Sequence, residues 1–156
     1  MNVRFLNARD DVQKLAQFRS RTEFFVDMLE DGQQMPQYNC AAELAHADNK
    51  FIGAIYDGVL EGYFKLERRG LKLFDVHVIL APEMRGGIGQ AFLRKALALF
   101  YEIEPKAVLT CTIPTSNQRA LMFSYAAGFQ PVGIIRQCFY KQGKVYSKVV
   151  LEKHNA

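Results

Sequence analysis

The stretch 71–113 constrains the fold of this chain more than any other part of it. An almost unbroken apolar run over 71–80 is followed by Pro82, by glycines at 86, 87 and 89, and then by a segment of helical periodicity. In that segment Ile88, Phe92, Ala96, Leu99 and Ile103 recur on one face, which predicts a helix over 88–103. A second apolar run, 108–113, ends at Pro114. Short continuous apolar runs are what strands covered on both faces look like. The order strand, helix, strand therefore predicts a right-handed crossover whose two strands lie parallel.

Antiparallel signals surround that unit. Runs over 51–56 and 59–66 flank Asp57-Gly58, the strongest short hairpin signal, and runs over 132–139 and 145–151 flank Gln142-Gly143. Val3 and Phe5 alternate with Asn2 and Arg4 in a short first strand. Residues 10–29 read as a helix capped by Asp10, 31–38 as a polar loop, and 41–47 as a short helical segment. Ser116 or Asn117 caps a helix that runs to Ala127 and stops at Gly128. Hairpins on both sides of one crossover predict an α+β domain with a mixed, mostly antiparallel sheet of about seven strands.

Composition narrows the class. The 156 residues fit one domain, and 49% apolar with 23% charged residues exclude a disordered or fibrous chain. A net charge of +4 is compatible with an anionic small ligand and too dispersed for a nucleic-acid surface. No run approaches the ~20 apolar residues of a membrane span. The first ten residues carry no apolar core of a signal peptide, so the expected location is the cytoplasm. Cys40, Cys111 and Cys138 include no CxxC pair and read as reduced thiols, and the three histidines are scattered, so no metal site is expected.

The chemistry concentrates around the glycines. Backbone lacking Cβ atoms at the start of a helix approaches an anion closely, and the free N–H groups of the first turn point at it. A tight strand-to-helix turn needs the same glycines, so both readings stay open. On the strand before them, Phe74, Val76, Val78 and Leu80 point one way and Asp75, His77 and Ile79 the other. Polar groups on a covered strand are costly unless paired or lining a cleft, which leaves Asp75 and His77 either satisfying each other and nearby backbone or serving as proton acceptors. Cys111 alternates with Leu109 and Ile113 and reads as core, while Thr110 and Thr112 share the face available to a cleft.

The order of elements, the segment Pro82-Glu83-Met84-Arg85-Gly86-Gly87-Ile88-Gly89 and the block from Asn117-Gln118-Arg119-Ala120 to Gly128-Phe129 together resemble the GNAT superfamily of acyl-coenzyme A N-acetyltransferases. That family's coenzyme motif is Gln/Arg-x-x-Gly-x-Gly/Ala, and its later helix carries Asn-x-x-Ala. The resemblance implies acetyl-CoA bound by Met84, Arg85, Gly86, Gly87, Ile88, Gly89, Gln90 and Asn117, its thioester lying along Val78, Ile79 and Leu80. It implies a small-molecule or peptide amine as acceptor, a general base at Asp75 or His77, and an acceptor pocket among aromatics such as Phe24, Phe25 and Tyr38. Two positions depart from the pattern. Met84 stands where the family has Gln or Arg, unless Arg85 fills that place in a loop one residue shorter. The family's general-acid tyrosine falls at Ser124, with Tyr125 one position and a 100° helical rotation away. A rival reading keeps the fold without the chemistry. The length and first ten residues resemble small acetyltransferase-like head-assembly proteins of short-tailed phages, which would make the partner a virion protein; a homodimer is compatible with either reading.

Overall fold

The computed structural model describes residues 1–155. β1 (Asn2–Phe5) leads to α1 (Val12–Ser20), a 3₁₀ segment (Thr22–Met28) and α2 (Cys40–Ala45). β2 (Asn49–Tyr56), β3 (Val59–Arg68) and β4 (Leu73–Leu80) follow, then a 3₁₀ turn (Pro82–Met84), α3 (Gly87–Ile103) and β5 (Val108–Pro114). α4 (Gln118–Ala126) precedes the closing hairpin of β6 (Gln130–Lys141) and β7 (Lys144–His154). The seven strands form one sheet in the order β1-β2-β3-β4-β5-β7-β6, parallel at β4–β5 and antiparallel elsewhere. The α+β architecture and the crossover expected from the sequence are both present. Among the described residues no helix is long and apolar enough to cross a membrane.

The side-chain period of each strand sorts the core into two layers. Phe74 and Val76 of β4 face α3, where Phe74 meets Phe100 edge-on at 5.0 Å. The opposite face carries α1, whose Phe18 lies 5.5 Å from Tyr63 of β3. Phe18, Phe25, Phe51, Phe64, Phe92 and Phe100 are all at most 2% exposed, so the aromatic content of the sequence is spent largely on this core.

Two sequence expectations change here. The helix over 10–29 stops at Ser20 and continues as 3₁₀. The Ser20 hydroxyl donates to the Gln17 carbonyl at 2.6 Å, the acceptor that the Arg21 N–H would need to continue an α-helix. Arg21 N–H donates to Phe18 instead, one residue nearer. The cap also moves from Asp10 to Asp11, which makes no side-chain cap bond. Asp11 is fully buried and grips Arg4 of β1 with both oxygens, at 2.7 and 2.8 Å, while accepting the Asn7 N–H. The Arg4 guanidinium holds this carboxyl below the usual carboxylate range. A buried carboxylate needs such complete pairing, and the pair ties the first strand to the first helix.

The tip of the β6–β7 hairpin is strapped onto the segment after α1. The β6–β7 register shifts between Ile135 and Phe139, where Gln137 has φ 50°. Beyond that bulge, Gln142 and Gly143 donate their N–H groups to the two Asp31 oxygens at 2.9 and 2.8 Å. Those two bonds, Gly143's the larger, hold the Asp31 carboxyl below its ordinary pKa. Lys141 Nζ donates to the carbonyls of Val26 and Leu29 at 2.5 and 2.6 Å, covering the end of the 3₁₀ segment.

The glycine turn before α3 has two distinct physical needs. Gly86 sits at φ 82°, ψ −139°, backbone that side chains with a Cβ rarely adopt. Gly89 needs room instead: a Cβ there would lie 2.5 Å from the Met84 carbonyl oxygen, 2.9 Å from Leu80 and 3.3 Å from Phe123. Its bare backbone lets α3 press against β4, the 3₁₀ turn and α4 together. At Gly87 a Cβ meets nothing within 4 Å.

Gly89→Ala is therefore expected to lose about 1–3 kcal/mol in urea unfolding through overpacking. Gly87→Ala should gain about 0.4–1 kcal/mol by restricting the unfolded chain. Equal effects of the two substitutions would overturn this division. Asp31→Ala should speed amide hydrogen exchange over 22–31 and at 141–143, leaving the protection of α3 unchanged.

Candidate active site

β4 and β5 pair at only three positions: Leu73 with Val108, Phe74 with Leu109, and Asp75 with Thr110. Past Asp75 the two strands part. β4 stays with β3 as far as Leu80 opposite Gly62, and β5 stays with β7 as far as Pro114 opposite Lys148. The opening is a groove of about 220 Å³. Leu93, Phe123 and Phe129 line it with apolar surface, Cys111 to Pro114 form one wall, and His77 to Leu80 form the other. Phe24, Asp27 and Met28 of the 3₁₀ segment stand on one side, and Arg85, Gly86, Asn117 and Arg119 bring in the glycine turn and the start of α4.

The gap leaves backbone groups without a strand partner. Ala81 donates its N–H to Glu61, toward β3. Because successive residues of a strand turn their amides to opposite edges, Ile79 also faces β3, whereas Val78 and Leu80 present N–H and C=O to the gap. At the glycine turn the first intrahelical bond is Gln90 N–H to Gly86 carbonyl, so the N–H groups of Gly87, Ile88 and Gly89 have no backbone acceptor in the helix.

The residues singled out in the sequence separate into those on the groove and those behind it. His77, Val78, Ile79, Leu80, Arg85, Gly86, Asn117 and Ser124 line it. Met84 is 2% exposed and packs into the core, while Arg85 next to it faces the groove. Gly89 serves packing, and the Gln90 amide donates to the Phe123 carbonyl at 3.1 Å, bolting α3 to α4. Ile88 and Tyr125 lie on the outer surface, 49% and 39% exposed. Asn117 caps α4, its oxygen accepting the Ala120 N–H.

Asp75 and His77 do not satisfy each other. Asp75 is held at 2.8 Å by Arg69 and at 2.8 Å by the Thr110 hydroxyl, and it does not line the groove. Thr110 is thereby turned from the cleft, which Thr112 lines. His77 is open to the groove although Ile79 on the same face is 5% exposed, so that face of β4 is only partly covered, contrary to the reading of 71–80 as buried on both faces. Protein crowding on this concave wall, and then the Lys65 ammonium, hold the imidazole below its ordinary value of 6.5. Cys111 packs on the core and also touches the groove, since β5 has lost its partner there. Burial pushes its thiol up to about 11, with Ser124 opposing the rise, so it stays protonated at neutral pH.

Asp27, Met28 and Arg119 were not singled out by the sequence reading. Arg119 lies inside the Asn117–Ala120 block, which by itself gives it no role, whereas Asp27 and Met28 reach the groove from far along the chain and carry no local pattern.

No protein-family model matches the chain, and no curated protein matches it. Solved structures do. A ribosomal-protein-alanine N-acetyltransferase from Brucella melitensis superposes with a TM-score of 0.75 at 19% identity, over 99% of both chains. An acetyltransferase of the GNAT family from Streptococcus pneumoniae gives 0.77 at 17% identity over 98% of both. A spermidine N-acetyltransferase from Vibrio cholerae, solved with CoA and spermine, gives 0.76 at 15% identity over 99% of this chain and 95% of the other. Likeness at such identities is likeness of architecture, and it extends over nearly the whole chain. The chain has the fold of the GNAT N-acetyltransferases.

Proposed function

We propose that the chain is a single N-acyltransferase domain that moves an acetyl group from acetyl-CoA to a primary amine by direct transfer. The observation that carries this is the parting of β4 and β5 into a groove that reaches Arg85 and Gly86, the residues next to the partner-free N–H groups of α3. A pantetheine-like arm needs a narrow apolar slot with strand backbone on one side, and a pyrophosphate needs unpaired N–H donors and positive charge at its end. The residues present fit both: Val78 and Leu80 offer backbone groups, Gly87 to Gly89 offer N–H donors, and Arg85 and Arg119 supply the charge. When bound, acetyl-CoA supplies the acetyl group in activated thioester form.

The chain's own part is positioning and proton handling. His77, neutral at pH 7, accepts the proton of an acceptor ammonium, directly or through water. The Val78 and Leu80 N–H groups donate to oxygen where negative charge develops, and the apolar floor limits water there. Asp75 is structural in this reading, fixing the last β4–β5 contact before the gap. Ser124 lies against Cys111 at the groove and Tyr125 points outward, so neither is assigned as the acid; solvent takes that role. Asp27, Phe24 and Met28 form the acceptor's side, and the amines named for the solved neighbours, spermidine and spermine among them, are the first acceptors to try.

Acetyl-CoA at about 100 times its dissociation constant should add ~2.7 kcal/mol, a rise of roughly 5–10 °C in melting temperature. Gly87→Asp places a carboxylate in open space at the helix start and should remove the rise without unfolding the protein. No rise in the parent protein would sink the coenzyme reading in favour of a fold kept for assembly.

At saturating acceptor, kcat should stay level through neutral pH and fall only below 6.5, because the His77 base titrates below its ordinary value. His77→Ala should lower kcat by ~10²-fold or more, while Tyr125→Phe and Ser124→Ala should each cost less than about tenfold. A hundredfold loss in Tyr125→Phe would refute the assignment of the leaving-group proton to solvent.

A further inference from the structure

Beneath the acceptor side of the groove six charges alternate in sign across the sheet. Arg19 bonds Glu43 at 2.6 Å, Glu43 bonds Lys65 at 3.0 Å, and Lys65 lies 3.9 Å from Glu67. Arg69 continues the chain, 3.3 Å from Glu67 and 2.8 Å from Asp75. Three positive and three negative groups cancel, and the Thr110 hydroxyl closes the end at Asp75. His77 lies on this face beside the chain of bonds and takes no part in it.

Its position within that array is specific. Lys65 of β3 is the direct cross-strand partner of His77. Residues opposite one another on an antiparallel pair carry their side chains on the same face with Cβ atoms about 4.5–5.5 Å apart, and like charges there repel. Lys65 cannot swing away to relieve such repulsion. Its side chain is only 16% exposed, its ammonium lies 5.6 Å from the centre of the Phe51 ring, and Glu43 holds it from α2. The other charged groups near His77 are Glu67 on β3, Asp75 on its own strand and Arg69 in the connecting turn, with Asp27, Arg85 and Arg119 lining the same groove.

We propose that Lys65 is a positioning residue for His77: pinned between Glu43 and Glu67 directly across the strand pair, its ammonium keeps the imidazole unprotonated and free to accept a proton. The consequence for catalysis rests on the acetyl-transfer reading above; the charge coupling itself does not. The lowered value of His77, in which Lys65 acts after desolvation and against Asp75 and Glu67, agrees in direction. A lysine in this place biases the base toward the form that an amine acceptor needs, and Glu67 and Glu43 moderate the bias.

The test reads the imidazole directly. The protein has three histidines, and His46 and His154 are exposed and serve as internal references in an NMR pH titration of the unliganded chain. In Lys65→Met, His77 should titrate at higher pH than in the parent protein, with the two references unmoved. Glu67→Gln removes a negative neighbour and should move His77 the opposite way, to lower pH. Opposite signs are the decisive feature, because a merely structural role would disturb both variants alike. Should Lys65→Met fail to fold, Lys65→Gln, which removes the ammonium but keeps a polar end for Glu43, takes its place with the same expected upward shift. No displacement of His77, or displacement of the same sign in both variants, overturns the proposal. With an acceptor in hand, the acid limb of kcat should move with the NMR midpoint in each variant. A limb that stays put while the resonance moves overturns the role of His77 as base and leaves the coupling standing, so the two failures are separable.

Discussion

The structure depends on one interruption, the end of β4–β5 pairing at Asp75 and Thr110. Strands usually continue together because each broken ladder leaves polar backbone in need of partners. Here each strand keeps its other neighbour, β3 for β4 and β7 for β5, so the gap costs one edge of each and not the integrity of the sheet. The bond from the Thr110 hydroxyl to Asp75 fixes where the parting begins. The remaining features of the site follow from that point: the partner-free amides of Val78 and Leu80, the half-exposed wall of β4, and the seat for α3 at the far end.

The seat is held by contact, not by glycine flexibility alone. Gly89 brings α3 onto the Met84 carbonyl and close to Leu80 and Phe123, and Gln90 fastens the same turn to α4. The free N–H groups of the first turn are thus aimed by close packing of three elements. A substitution meant to block an anion at Gly89 would also disrupt that packing, whereas Gly87 faces open space. The two glycines look equivalent in the sequence and do different work.

Electrostatics divides the His77 side of the groove in a similar way. Asp75 and His77 share a face of β4 and are two residues apart, but Arg69 and Thr110 claim the carboxylate and leave the imidazole on the groove. The alternating charges from Arg19 to Asp75 are locally neutral, so the polar surface beneath the groove is satisfied without lending it a strong sign. The hairpin tip, strapped by Asp31 and Lys141, holds the opposing segment that carries Phe24, Asp27 and Met28. The β4 wall and the segment beside it are therefore set by bonds made outside the groove.

The sequence by itself determined the strands, their hairpins, the single crossover and the location of the glycine turn. Those depend on local signals: side-chain periodicity, Asp57-Gly58, Gln142-Gly143, the Asn117 cap and the Gly128 stop. It also narrowed the family's Gln/Arg position to Met84 or Arg85 and the base to Asp75 or His77. Only the tertiary structure separates the members of each pair, leaving Arg85 and His77 on the groove while the other of each is consumed by partners that lie far away along the chain. Met84 is taken into the core, and Asp75 is bonded to Thr110 across the crossover. The break of the first helix at Ser20, the burial of Asp11 with Arg4 and the arrival of Asp27 at the groove were likewise beyond local pattern. Each is set by a contact whose energy exists only once distant segments have met.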